Sequence, residues 1–409
     1  MTQLAPPTPP AARFLDPATP PHVATLVALS SIAALAMNVF LPSLPSMTAY
    51  FGTDYAVMQL SVSLYLAVNA VLQLFVGAIS DRFGRRPVML ASLGIFILAT
   101  LGTLLATTAA VFLFFRMLQA SVVAGIVLSR ASIRDLMGEA EAASRIGYVT
   151  MGMALVPMVA PAIGGLLDEV FGWRGAFGLM LLAGIAVLVL SWRDMGETKL
   201  DRGGSMRAVF AEVPELMRAR RFWGYCITAM LASGAFFAYL GGAPFVGSEV
   251  LGLSPSTLGL FFGAPAIGYA AGNFLSGRYA ARVGINRMIL LGCIVGFGGM
   301  ALLLGLSLIF RLSAVMFFGC FVFTGLGNGM LLPSATSGMM SVRPHLAGTA
   351  SGIGGAILIG GGAALSALAG AMLTPESGAM PLIWILFTTT ALAILPLLYV
   401  IRRERQISA

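Results

Sequence analysis

The chain has 409 residues, of which 58% are hydrophobic and only 10% charged, with a net charge of +8. A soluble domain carries about 25% charged residues, so too few charges are present to coat a water-facing surface of this length. The basic residues sit in short loops between apolar runs. They form no aromatic-interleaved stripe of the kind that tracks nucleic acid, and nucleic acid is excluded as a partner.

The first 22 residues, rich in proline, read as a disordered tail. They lack the basic start, apolar stretch and small-residue site of a cleaved signal peptide. Apolar runs then recur at 23–45, 56–79, 87–106, 110–132, 146–167, 175–193, 223–245, 256–277, 286–309, 313–338, 347–372 and 380–401. Each matches the length of a membrane-crossing helix. None shows the short alternation of a barrel strand. The expected fold class is an all-α integral membrane protein of twelve transmembrane helices, embedded in the lipid bilayer.

The longest connection, 194–222, carries Lys199, Arg202, Arg207, Arg218, Arg220 and Arg221. It divides the chain into an N-terminal bundle (23–193) and a C-terminal bundle (223–401), with a short tail at 402–409. Gly77, Arg82 and Gly84 recur 200 positions later as Gly277, Arg282 and Gly284, with Ala281 where Asp81 stood. Such correspondence is the trace of duplicated six-helix repeats, a common transporter plan. With both termini cytoplasmic, only Arg174 and Arg311 of the 24 basic residues fall on the far side, and Arg116 falls within a span. The positive-inside rule therefore sets the orientation.

Several polar residues interrupt the apolar runs. Asn38 lies in the first span, and Ser61, Tyr65, Asn69 and Gln73 recur every fourth residue of the second. A stripe on one helix face must find partners, either in a cavity or on another helix. Tyr65 and Asn69, at mid-depth, are candidates for substrate contact. Arg116, about six residues into the fourth span, is the lone charge inside a helix. Charge at such depth costs about 2.5–3.5 kcal/mol on insertion scales and implies a task or a partner. In the seventh span, Phe236 and Tyr239 offer an aromatic wall with a polar tip. Cys226, Cys293 and Cys320 at unrelated spacings, and His22 and His345 far apart, make neither a disulfide framework nor a metal site. No catalytic constellation and no nucleotide-binding glycine loop is present, so neither an enzyme nor direct use of ATP is expected. No cofactor is expected either.

The segment GAISDRFGRRP resembles the signature loop between spans two and three of the major facilitator superfamily. MNVFLPSLP, QLSVSLYL, RFGRRPVML, FRMLQA, the Arg134–Asp135 pair, GAPFV and PHLAGTASG resemble the bicyclomycin- and chloramphenicol-resistance (Bcr/CflA) drug:proton antiporters over nearly the whole chain. The resemblance implies two bundles rocking about a central cavity in the bacterial inner membrane, one chain as the working unit, and protons exchanged for small, mostly apolar drugs. It implies a gating loop of Gly77, Asp81, Arg82, Gly84, Arg85 and Arg86. In that loop Asp81 would latch the outward-facing state at the start of span eleven, residues 347–352. It assigns Arg134 and Asp135 to the inner gate. It makes Pro161, Gly164 and Gly165 the kink of an antiporter motif, with Ala160 in place of its first glycine. Arg116 and Gln119 become cavity residues, Arg116 assisting proton transfer, with Ala120 in place of the motif's glycine.

One departure matters. The family's membrane aspartate is replaced by Asn38, which has no proton to release, and none of the sixteen acids lies deep in a span. Three readings stay open. Coupling has moved to an edge acid such as Asp54 or Asp135; or transport is uncoupled, as in a facilitator; or Arg116, lacking an acid, attracts organic anions. Asp54 also has an ordinary use, as the cap of span two.

Overall fold

The computed structural model describes residues 13–137, 139–198 and 213–408. Among these, twelve helices are long and apolar enough to cross a membrane, and no strand occurs. They are α1 (Val23–Phe51), α2 (Tyr55–Phe83), α3 (Arg85–Leu105), α4 (Ala109–Leu136), α5 (Arg145–Phe171) and α6 (Arg174–Asp194). The second set is α7 (Arg220–Val250), α8 (Pro255–Val283), α9 (Ile285–Ile309), α10 (Ala314–Ser341), α11 (Ala347–Met372) and α12 (Met380–Gln406).

Several helices are discontinuous, and in α1, α5 and α8 proline explains where. Proline lacks an N–H and its ring clashes with the carbonyl four residues back. Accordingly α1 breaks at residues 39–43 beside Pro42, and a second segment starts with Pro45 in its first turn. This carries α1 to Phe51, past the expected end at residue 45. The discontinuity in α5 falls at Leu155, just before Pro157, whereas Pro161 lies inside the continuous segment Val156–Phe171. The break in α8 at Phe262 and Gly263 precedes Pro265.

Two segments read from sequence as tails are ordered. Asp194, wholly buried at the end of α6, accepts the backbone N–H groups of Leu15 (2.6 Å) and His22 (2.9 Å), so residues 13–22 are folded onto the bundle. Helix continues through Arg402–Arg405 to Ser408, because Glu404 is held by Arg221, Tyr225 and Asn286. Residues 1–12 of the N-terminal tail, residue 409, and linker residues 199–212 with Lys199, Arg202 and Arg207 lie outside the described residues.

The first six helices pack on one another around α1 and α4, and the last six around α7 and α10. Contact between the sets runs through α2 with α11, α5 with α8, and α1 and α2 with α7. Twelve crossings return the chain to the side where it began. That side is called the terminal end below, and the opposite side the distal end.

Candidate functional site

Three groups of residues join the helices into a working arrangement: a buried cation, a charged cluster at the terminal end, and a seam at the distal end.

Arg116 is 1% exposed and faces neither lipid nor open space. Its Nε donates to the Ser61 carbonyl (3.2 Å), Nη2 to the Ala36 carbonyl (2.8 Å) and Nη1 to Gln119 Oε1 (2.7 Å). Phe40 and Tyr65 cover the guanidinium, with ring centroids 4.3 and 4.1 Å from its carbon. Gln119 passes the connection on by donating to Thr100 Oγ1 at 2.9 Å. One cation thus ties α1, α2 and α4 together, and through Gln119 reaches α3. Desolvation is offset by charge-assisted bonds to carbonyl dipoles and by the ring faces rather than by an acid. Three of its five N–H groups are thus committed to neutral acceptors within the first half. Snorkelling to the surface is excluded.

Tyr65, expected in the cavity, stacks on Arg116 instead, and its hydroxyl has no partner among the described residues. Asn69 accepts a bond from Gln73 one turn on, at 2.8 Å. Asn38 is buried and donates back to the Ala34 carbonyl of its own helix at 2.8 Å. This is the behaviour of an amide terminating a helical segment. Tyr239 lies in a different place, within an aromatic core of the second half. It stacks on Phe321 at 4.0 Å and touches Phe262, Phe317 and Phe318. Phe236 sits 6.2 Å from Tyr239 at the edge of this group. The structure therefore brings Tyr65, Arg116 and Gln119 together and leaves Phe236 and Tyr239 apart from them.

At the terminal end, Gly84 joins α2 to α3 with φ +99°, a conformation that disfavours any side chain. Arg85, buried, pairs with Asp81 (2.7 Å) and with Asp135 of α4 (2.9 Å), and also donates to Ser80 and to the Gly77 carbonyl. Glu197 accepts the backbone N–H groups of Arg85 (2.8 Å) and Arg86 (3.4 Å), placing a carboxylate at the positive end of α3. Arg86 reaches the Trp192 carbonyl, while Arg82 lies over Phe83. Arg134 turns to the Arg130 carbonyl of its own helix, so Asp135 and not Arg134 joins the cluster. Among the described residues Asp81 pairs within its own half, and the sites of Gly348 and Gly352 at the start of α11 have open space around them. One to two turns further into α11 the halves touch, where a Cβ on Gly355 would lie 3.6 Å from Gln73 Oε1. Asp54, the other edge acid, is exposed and makes no cap bond.

At the distal end the halves meet backbone to backbone. A Cβ on Gly165 of α5 would collide with the Pro255 carbonyl, and one on Gly259 of α8 with the Pro161 carbonyl. Gly164 presses in the same way on the Val39 carbonyl of α1. Among the described residues, three side chains of the first half bond across the seam. Tyr55 donates to the Gly241 carbonyl (2.7 Å), Gln59 donates to both the carbonyl and hydroxyl of Ser366 (2.8 Å each), and Glu169 accepts the Ser256 N–H (3.1 Å). Sequence reasoning singled out the glycines of α5 and met Gln59 only as the first letter of QLSVSLYL, and it gave no role to Tyr55, Ser366, Glu169 or Ser256. A glutamine near a helix start carries no local signal of a partner 307 residues away.

Twelve spans in two sets of six, joined backbone to backbone at the distal end, define a membrane transporter fold. The match to the Major Facilitator Superfamily model over residues 26–367 shows that the chain belongs to that superfamily. It is a multi-pass membrane transporter and not an enzyme. Two curated relatives place it with drug-resistance transporters of the Bcr/CflA type. It is 30% identical to a chloramphenicol resistance protein of Pseudomonas aeruginosa, over 81% of this chain and 80% of the relative. It is also 30% identical to multidrug resistance protein D of Escherichia coli, over 84% and 87%. Among solved structures, a bacterial homologue of the human lysosomal transporter Spinster, in an inward-facing and occupied conformation, superposes with a TM-score of 0.71. The shared identity is 18%, covering 94% of this chain and 96% of that one. At that identity the likeness concerns the fold.

Proposed function

We propose that this protein exports small, mostly apolar drugs across the bacterial inner membrane by alternating access, with proton entry as the energy source and both termini in the cytoplasm. The observation that carries the reading is the sealed distal seam, beside an Asp81 that pairs within its own half at the terminal end, in a chain related to drug-resistance proteins. With cytoplasmic termini, this arrangement is an inward-facing state, ready to take cargo from the cytoplasm. One chain forms the translocation unit, because both halves of the seam come from the same polypeptide.

Asp81 and Arg85 act as the inner gate in this reading. In the inward-facing state Arg85 holds Asp81 within the first half. When the terminal ends approach, Asp81 exchanges this partner for the start of α11. A drug-susceptibility panel in a host stripped of its own pumps tests the function. Raised tolerance that collapses with a protonophore supports coupled export. Tolerance that persists with the protonophore supports the uncoupled facilitator, a reading favoured by Asn38 where a membrane acid would stand. Tolerance unchanged for every compound removes the export reading.

A further inference from the structure

We infer that Gln59 is the releasable bolt of the distal gate, a positioning residue that must leave a socket in the other half before the distal end opens. The inference rests on the alternating-access reading. Gln59 sits one turn into α2 and is 0% exposed, yet its amide is committed across the seam. Its Nε2 donates to both the carbonyl and the hydroxyl of Ser366, and its Oε1 accepts from Ser63 of its own helix at 3.4 Å.

The second half is shaped around this side chain. A Cβ on Gly241 of α7 would collide with the Gln59 Nε2, and a Cβ on Gly370 of α11 would lie 2.6 Å from its Oε1. Two glycines from two helices thus form the walls of the socket, and Ser366 supplies its acceptors. Tyr55, one turn earlier on α2, bonds the carbonyl of the same Gly241. The contact is polar where apolar packing would have sufficed. A permanent apolar interface has only packing contacts to lose on parting. An amide bonded to a backbone carbonyl and a hydroxyl can exchange both partners for water when the halves part. The seated state is strong because an amide left buried without partners is costly. The open state remains reachable because a solvated amide is not.

The test reads distances, not transport. Spin labels at Thr107→Cys and Arg311→Cys, exposed loop positions on the distal side of the two halves, report gate opening by pulsed electron spin resonance. The three native cysteines are buried. Gln59→Glu keeps the shape, removes the donors and sets a carboxylate against the Ser366 carbonyl. Gly370→Leu fills the socket and displaces the Gln59 side chain while leaving its amide chemistry unaltered. Each is expected to raise the ratio of long to short distances roughly tenfold or more over the parent chain. If Gln59→Glu is not recovered folded, Gly370→Leu alone decides. Parent-like distances in the recovered variants, with a long distance appearing in the parent on addition of chloramphenicol, overturn the bolt and leave alternating access standing. Short distances in every sample, drug-bound ones included, overturn both.

Discussion

Helices α4 and α10 begin alike and then diverge. Thr108 and Ser313 cap them, each accepting the N–H three residues on, and Ala109 and Ala314 open the helical turns. The eighth residue of one is Arg116 and of the other Phe321. In the first half this position is a cation held by two carbonyls, a glutamine and two ring faces. In the second it is a ring stacked on Tyr239 among further phenylalanines. The terminal loops repeat the contrast. Arg85 lies between Asp81 and Asp135 in the first half, whereas Ile285 and Ala281 stand 200 positions later, beside a groove of about 610 Å³. A duplicated architecture has kept its helix starts and turns and exchanged its interior chemistry. At these matched positions directional polar bonds set the geometry in the first half, and apolar or ring packing takes their place in the second.

Removing Arg116 strikes this contrast hardest. Arg116→Ala strands the Gln119 Oε1 and two backbone carbonyls and opens a void between Phe40 and Tyr65. The loss is expected to be about 3–5 kcal/mol, since each buried acceptor left without a donor costs about 1–3 kcal/mol. Thermal unfolding in detergent measures it, and export should disappear with it. A variant that melts like the parent would show that α1, α2 and α4 hold together without the cation.

Asp135→Asn ranks next. Arg85 keeps Asp81 and Ser80 but loses one charged acceptor at a nearly buried site. The expected cost is about 1.5–3 kcal/mol, and pairing it with Arg85→Met in a double-mutant cycle isolates the bond. A coupling energy near zero contradicts the cluster. In the second half, Phe321→Leu exchanges a stacked ring for a smaller apolar group. Ring packing relaxes partly around such a change, so a loss of about 1–2 kcal/mol is expected from the same melting assay. A loss above that of Arg116→Ala would reverse the ranking of the two interiors.

Much of the architecture was readable from residues alone, because uncharged runs of membrane length need no tertiary context to declare themselves. Arg116 was readable too, since one charge in an apolar helix stands out. Its environment was not. The acceptors that satisfy it are backbone carbonyls of Ala36 and Ser61, and a carbonyl has no letter in the sequence. The four-residue polar stripe began at Ser61 and so passed over Gln59, whose partner Ser366 belongs to the other half. The ends of α1 and α12 were misjudged for a similar reason. Proline at 42 and 45 reads as a stop but serves at α1 as a restart, and the charged end of α12 is held by residues 118 to 183 positions away. Periodicity reports a helix's own faces, and contacts between halves leave no period.

The smallest expected effect tests whether the terminal clusters are equivalent in anything but position. Ala281→Asp restores the carboxylate that Asp81 supplies in the first half. There Arg85, four residues on, receives it, whereas Ile285 occupies that place in the second. The new carboxylate would stand exposed at the edge of the groove, with Arg287 among the groove's other lining residues. An exposed charge of this kind changes stability by about 0.5 kcal/mol or less. Melting and export should therefore match the parent within error. If instead export rises or falls severalfold, the second half takes part in gating through this loop, and the chemistry divided between the halves is shared after all. Adding Ile285→Arg to the same chain sharpens the result: a pair built on the spacing of Asp81 and Arg85 should gain stability over Ala281→Asp alone only if the groove can close around it as the first half closes around Arg85.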